Sequence, residues 1–166
     1  MKTITPVLSN LSMPNGIALS PDGKILWVGE TGRNRLHRVE LSGPTTIGLF
    51  GTTIPHHFAG VHADSIRVDG DGNVYVGLMG AGRVLVFDPK GVPIAQILVP
   101  GRDQGRFLYT SSMAIKPGTN ELYITASEID GREAMVFRAG ALAQAHPLFT
   151  PPCAGPAYRS NGDRCE

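Results

Sequence analysis

Three oxygen-bearing residues, Asn15, Asp64 and Ser111, recur at spacings of 49 and 47 residues. An amide oxygen, a carboxylate and a hydroxyl brought to one point would suit a hard divalent cation, since Ca2+ and Mg2+ take oxygen donors. The same residue types just before a strand also act as turn caps, closing hydrogen bonds onto nearby backbone. Spacing alone does not choose between these readings. His56, His57 and His62 lie in the segment leading to Asp64, where imidazoles would bind a transition metal, act as a base or simply form a polar rim. His62 stands two residues before Asp64. Arg102 and Arg106 flank a glycine-rich loop suited to meeting a sugar-acid or phosphate group, or to lying on the surface. Glu30 and Glu128 would lie in solvent, pair with a nearby Arg or touch substrate.

Three other patterns carry no chemistry. Gly80-Ala81-Gly82 opens like a dinucleotide fingerprint, but no helix follows. Asp69 to Gly72 resembles the start of a calcium loop without its distal Glu. Asn10-Leu11-Ser12 is a glycosylation sequon without a secretory signal ahead of it.

The elements that must position the candidates come from an internal repeat. Residues 15–29 (NGIALSPDGKILWVG) align with 64–77 (DSIRVDGDGNVYVG) and 111–125 (SSMAIKPGTNELYIT), each followed by a further apolar strand. Four strand signals recur in order in each copy: about 16–20, 25–30, 35–41 and 45–50; 65–69, 73–78, 83–88 and 93–99; 112–116, 121–126, 134–139 and a weaker 145–150. Pro21-Asp22-Gly23, Gly70-Asp71-Gly72 and Pro117-Gly118 supply the turns between first and second strands, with Pro fixing φ and Gly tolerating positive φ. The chain is therefore expected to be all-β, a β-propeller of four-stranded antiparallel blades. Three blades are expected near 13–60, 61–108 and 109–150, with a Pro/Gly-rich tail over 151–166. In that geometry the residue before each innermost strand points to the central axis at one mouth, which brings Asn15, Asp64 and Ser111 together.

Charged residues make up 17% of the 166, net charge is +1, and no basic stripe or acidic block occurs, so neither nucleic acid nor a charged membrane surface is an expected partner. No apolar run is long enough for a membrane span, and with no leader pattern at the N-terminus the expected compartment is the cytoplasm. Cys153 and Cys165, twelve residues apart in the tail, are expected as two free thiols, with a bridge between them as the alternative. Three blades are half of an ordinary ring, and a terminal blade needs a neighbour. A homodimer closing a six-bladed ring, a half of a longer protein and an open arc all remain open.

Residues 13–24 (MPNGIALSPDGK), 30–38 (ETGRNRLHR), 62–69 (HADSIRVD) and 72–76 (GNVYV) resemble the senescence-marker-protein/gluconolactonase family, with the likeness running over about residues 5–150. The resemblance implies a six-bladed propeller with one divalent ion (Ca2+, or Zn2+, Mn2+ or Mg2+) on its axis, hydrolysing small lactones. It implies that Asn15 and Asp64 are metal ligands and that Asp64 is also the catalytic general base. His62, Ser111 and Arg102 are the candidate substrate contacts. The family's N-terminal Glu, a further Asn and its substrate-binding Arg belong to blades this chain lacks. A non-catalytic interaction module or an inactive remnant is the alternative.

Overall fold

The computed structural model describes residues 3–146. Eleven strands dominate it: β1 (Pro14–Leu19), β2 (Ile25–Glu30), β3 (Arg35–Gly43), β4 (Thr46–His57), β5 (His62–Val68), β6 (Val74–Met79), β7 (Arg83–Phe87), β8 (Pro93–Leu98), β9 (Tyr109–Ile115), β10 (Glu121–Ser127) and β11 (Ala134–Gly140). Antiparallel β1-β2-β3-β4 form one sheet. β5 to β8 form a second, and β9 to β11 a third, joined to it by one pairing of Met79 with Tyr109. The innermost strands are neighbours, β1 packing on β5 and β5 on β9. The architecture is thus an arc of propeller blades, as the repeat requires.

Alternation along the strands explains how the blades stack. Ile66 and Ala63 of β5 enter a core with Trp27 and Leu36 of the first blade. One blade later, Met113 of β9 packs with Tyr75 and Val84 of the second. Ile17 holds the repeat position of Ile66 and Met113, yet it is 60% exposed against 0% and 3%. At the other end Val136, equivalent to the fully buried Leu36 and Val84, is 67% exposed. The two internal interfaces are buried, and among the described residues the two end faces carry exposed apolar side chains.

Two differences from the sequence reading have local causes. β4 runs to His57, well past the expected 45–50, because register shifts against β3 let the outer strand continue to the mouth. The fourth strand expected over 145–150 appears only as bridges at Ala145, its remainder lying outside the described residues. The same holds for the 151–166 tail with Cys153 and Cys165.

Candidate functional site

The inner strands carry the same irregularity at the same place. In β1, Asn15 and Gly16 together face the single residue Gly29, since Pro14 pairs with Glu30 and Ile17 with Val28. In β5, Asp64 and Ser65 face Gly77. In β9, Ser111 is the extra residue between Thr110 and Ser112. Such bulges re-aim side chains and gather near binding sites. The repeat spacing therefore places Asn15, Asp64 and Ser111 at equivalent bulge positions of their strands, with Ser111 facing Thr125, Met135 and Val136 on the third blade.

Asn15 and Asp64 are close neighbours. Gly16 makes this possible, because a Cβ there would overlap the Asp64 carbonyl oxygen and lie 2.6 Å from the Ile66 nitrogen. Burial raises the Asp64 pKa above its ordinary value, and the neighbouring Asn15 amide opposes the shift. Among the described residues no Lys, Arg or His forms an ion pair with Asp64. Ser111 lies further round the arc. Its Oγ sits 3.1 Å from Thr125 Oγ1, and its carbonyl accepts from Ser65 Oγ at 2.8 Å, which ties the second blade to the third.

His62 is exposed at the start of β5. The amide nitrogen of Asn34 sits best toward the acceptors around it, 2.7 Å from His62 Nδ1, 3.0 Å from the Thr31 carbonyl and 3.1 Å from that of Val61. Neutral His62 then carries its proton on Nε2. His56 is occupied instead in the interface between blades, edge-on to Phe58 and Phe87. Arg102 is held in its own loop, its Nε donating to the Ala81 carbonyl at 3.1 Å and one terminal nitrogen pairing with Asp103 at 2.8 Å.

Glu30 and Glu128 took the pairing alternative. Arg106 binds Glu128 at 3.1 Å and also meets Glu133. Glu30 is fully buried and accepts from Ser12 N (2.8 Å), Arg33 (2.9 Å), Arg35 Nε (2.8 Å) and His37 Nε2 (2.7 Å). Burial pushes its carboxyl up, but the combined donors prevail and hold its pKa down at about 2. A further group escaped the sequence reading: Thr31, whose hydroxyl donates to the Ala63 carbonyl at 2.5 Å.

Asp64 and Asn15 offer a hard-oxygen pair with an unpaired carboxylate, a donor set that fits part of a divalent ion's shell. Among the described residues there is no group of three or more His, Cys, Asp or Glu able to hold a metal.

The description "SMP-30/Gluconolactonase/LRE-like region" matches residues 1–128. The chain belongs to the SMP-30/gluconolactonase family. Curated family relatives include proteins named lactonase drp35 from Staphylococcus haemolyticus, 48% identical over 153 residues, and from Staphylococcus aureus, 48% over 151; each alignment takes in 89% of this chain and 47% of the relative. The chain therefore spans about half the length of these relatives. Among solved structures, the calcium-binding protein regucalcin from Agrobacterium tumefaciens superposes with a TM-score of 0.68 at 23% identity, over 88% of this chain and 53% of that one. A gluconolactonase from Xanthomonas campestris gives 0.59 at 24% identity, over 72% and 37%. At these identities the structures attest the propeller fold of the family. No helix among the described residues is long and apolar enough to cross a membrane.

Proposed function

We propose that this chain contributes the metal-facing Asn15–Asp64 pair of a lactone-hydrolysing propeller. The observation that carries the reading is Asp64 itself: a part-buried carboxylate, beside an amide, at an inner-strand bulge, with no cation paired to it among the described residues. The names of the staphylococcal relatives supply the reaction class, and the oxygen donors supply the ion class. When bound, a divalent ion provides Lewis-acid polarisation of the lactone carbonyl and a water of lowered pKa. Asn15 and Asp64 would hold that ion with their side-chain oxygens. Asp64 would accept a proton from the water that adds to the carbonyl carbon. The ring C–O bond then breaks, the alkoxide takes up a proton, and a hydroxy acid leaves. His62 offers Nε2–H to a substrate oxygen, while Ser111 lines the third-blade side of the mouth. Arg102 serves substrate only by leaving Ala81 and Asp103.

Activity on this reading requires a closed ring, and a second copy of the chain is one source of three more blades. The end faces support the need, with Ile17 and Val136 exposed where their repeat partners are buried. The fit is not a plain copy of the internal contact. Thr125 stands where Gly29 and Gly77 receive the next blade, and a Cβ at Gly77 would already lie 3.0 Å from Met113. The same open faces favour the second reading, a non-catalytic half that docks onto a protein partner.

The test is hydrolysis of gluconolactone followed by pH-stat, with Ca2+ or Mn2+ and then with chelator, alongside mass in solution. A metal-dependent rate from a closed assembly, reduced at least a hundredfold in Asp64→Asn, is the expected result. A closed assembly without activity, or a rate indifferent to Asp64, rejects the enzyme reading, and a stable inert monomer favours the second.

A further inference from the structure

The turn between β2 and β3 breaks the repeat beside the candidate site. Where the first blade has Glu30 and Thr31, the second has Leu78 and Met79 and the third Ala126 and Ser127. Leu78 and Ala126 are buried and apolar, as the pattern demands. Glu30 is buried and charged, surrounded by Arg33, Arg35 and His37, with His37 Nδ1 left without a partner. Burying such a network is a poor way to gain stability, because desolvation offsets most of the attraction. Departures of this kind from local rules gather where function constrains the chain.

The turn's contacts show what it grips. Thr31 N donates to the Met13 carbonyl at 3.1 Å, and Gly32 N to that of Ser12 at 3.0 Å. Glu30 takes the Ser12 N–H. On the other side, Thr31 Oγ1 donates to the Ala63 carbonyl, and Asn34 meets Val61 and His62. Met13 lies two residues before Asn15, and Ala63 is the residue before Asp64. A single residue, Thr31, thus ties together the backbone entering both. The segment it holds is strained as well, since Met13 has φ of 50° without being glycine. In the second blade the corresponding turn grips the chain entering the next inner strand through its backbone, with Gly80 N and Gly82 N both donating to the Leu108 carbonyl, while Arg102 holds its Ala81 carbonyl.

We propose that Thr31, fixed by Glu30, is a positioning residue that sets the separation of Asn15 and Asp64 and so tunes cation affinity. The proposal rests on reading those two as ligands. The test is Mn2+ titration by electron paramagnetic resonance of the wild-type chain and of Thr31→Val, Thr31→Ala, Thr31→Ser and Asp64→Asn, with a thermal melt of each. Removing the hydroxyl should weaken Mn2+ binding about tenfold, the scale of a lost outer-shell partner. Thr31→Ser, which keeps the donor, should stay within about twofold of wild type. Wild-type affinity in Thr31→Val or Thr31→Ala, with or without a lower melting temperature, overturns the proposal, as does a Thr31→Ser chain as weak as the valine variant. Unchanged affinity in Asp64→Asn would instead remove the ligand reading beneath it.

Discussion

Glu30 and Asp64 are carboxylates at the same mouth of the arc, and their surroundings make them opposites. Glu30 ends β2, fully buried, and is saturated by a backbone N–H, two guanidinium groups and an imidazole. Its pKa is held at about 2. Asp64 sits in the β5 bulge with only the Asn15 amide to steady its charge, and burial moves its pKa the other way. A carboxylate whose charge is already satisfied builds structure. One whose charge is not satisfied is available to an ion or a proton.

The largest expected effect is therefore on stability, and at Glu30. Glu30→Gln leaves two arginines and a histidine around a neutral group and should cost on the order of 3 kcal/mol, read as a lower urea midpoint. Asp64→Asn should leave stability level or slightly raised, because it removes a charge that the fold disfavours. Equal losses in the two variants would break the comparison. The same contrast has a pH signature. A folded-state pKa lowered from 4.5 to about 2 means Glu30 contributes fully above 4.5 and loses that contribution as pH falls toward 2. Glu30→Gln should flatten this part of the profile. Asp64, shifted upward, acts with the opposite sign and favours the folded state as acid protonates it.

Gly16→Ala comes next. Its Cβ meets the backbone of Asp64 and Ile66, so β5 must move, at a cost of about 2 kcal/mol visible in thermal melting, together with weaker Mn2+ binding. Asp69, at the opposite end of the second blade, is a second carboxylate of the saturated kind. It accepts from Asp71 N, Asn73 N, Asn73 Nδ2 and the Tyr75 hydroxyl. Tyr75 in turn accepts from Leu142 N at 2.6 Å. Tyr75→Phe should cost about 1 kcal/mol and speed hydrogen exchange at Leu142, with Mn2+ affinity unchanged. An affinity loss there would show that a carboxylate's surroundings do not separate the two classes.

Much of this was legible in the sequence, because a 49- and 47-residue repeat with turn residues at fixed places dictates blades. It also gave the equivalence of Asn15, Asp64 and Ser111. The bulge that aims them was not legible, since it depends on register against Gly29, Gly77 and Thr125. Nor was the fate of charged loop residues. Arg102 looks free in sequence, but the Gly80–Gly82 turn brings the Ala81 carbonyl to it. In sequence Glu30 is open to solvent, to substrate or to an Arg, and the fold selects pairing by returning Ser12 and Arg35 to the end of β2. Thr31 left one sequence signal, a polar pair where the other copies have Leu78-Met79 and Ala126-Ser127, and comparing copies position by position exposes it.

The most direct test watches both carboxylates at once, by 13C NMR of the Asp64 and Glu30 side-chain carboxyl carbons during titration with Ca2+. A saturable shift at Asp64 with Glu30 unmoved is the predicted result. A shift at Glu30 with none at Asp64, or silence at both, would contradict the assignment of Asp64 as the carboxylate that meets the ion.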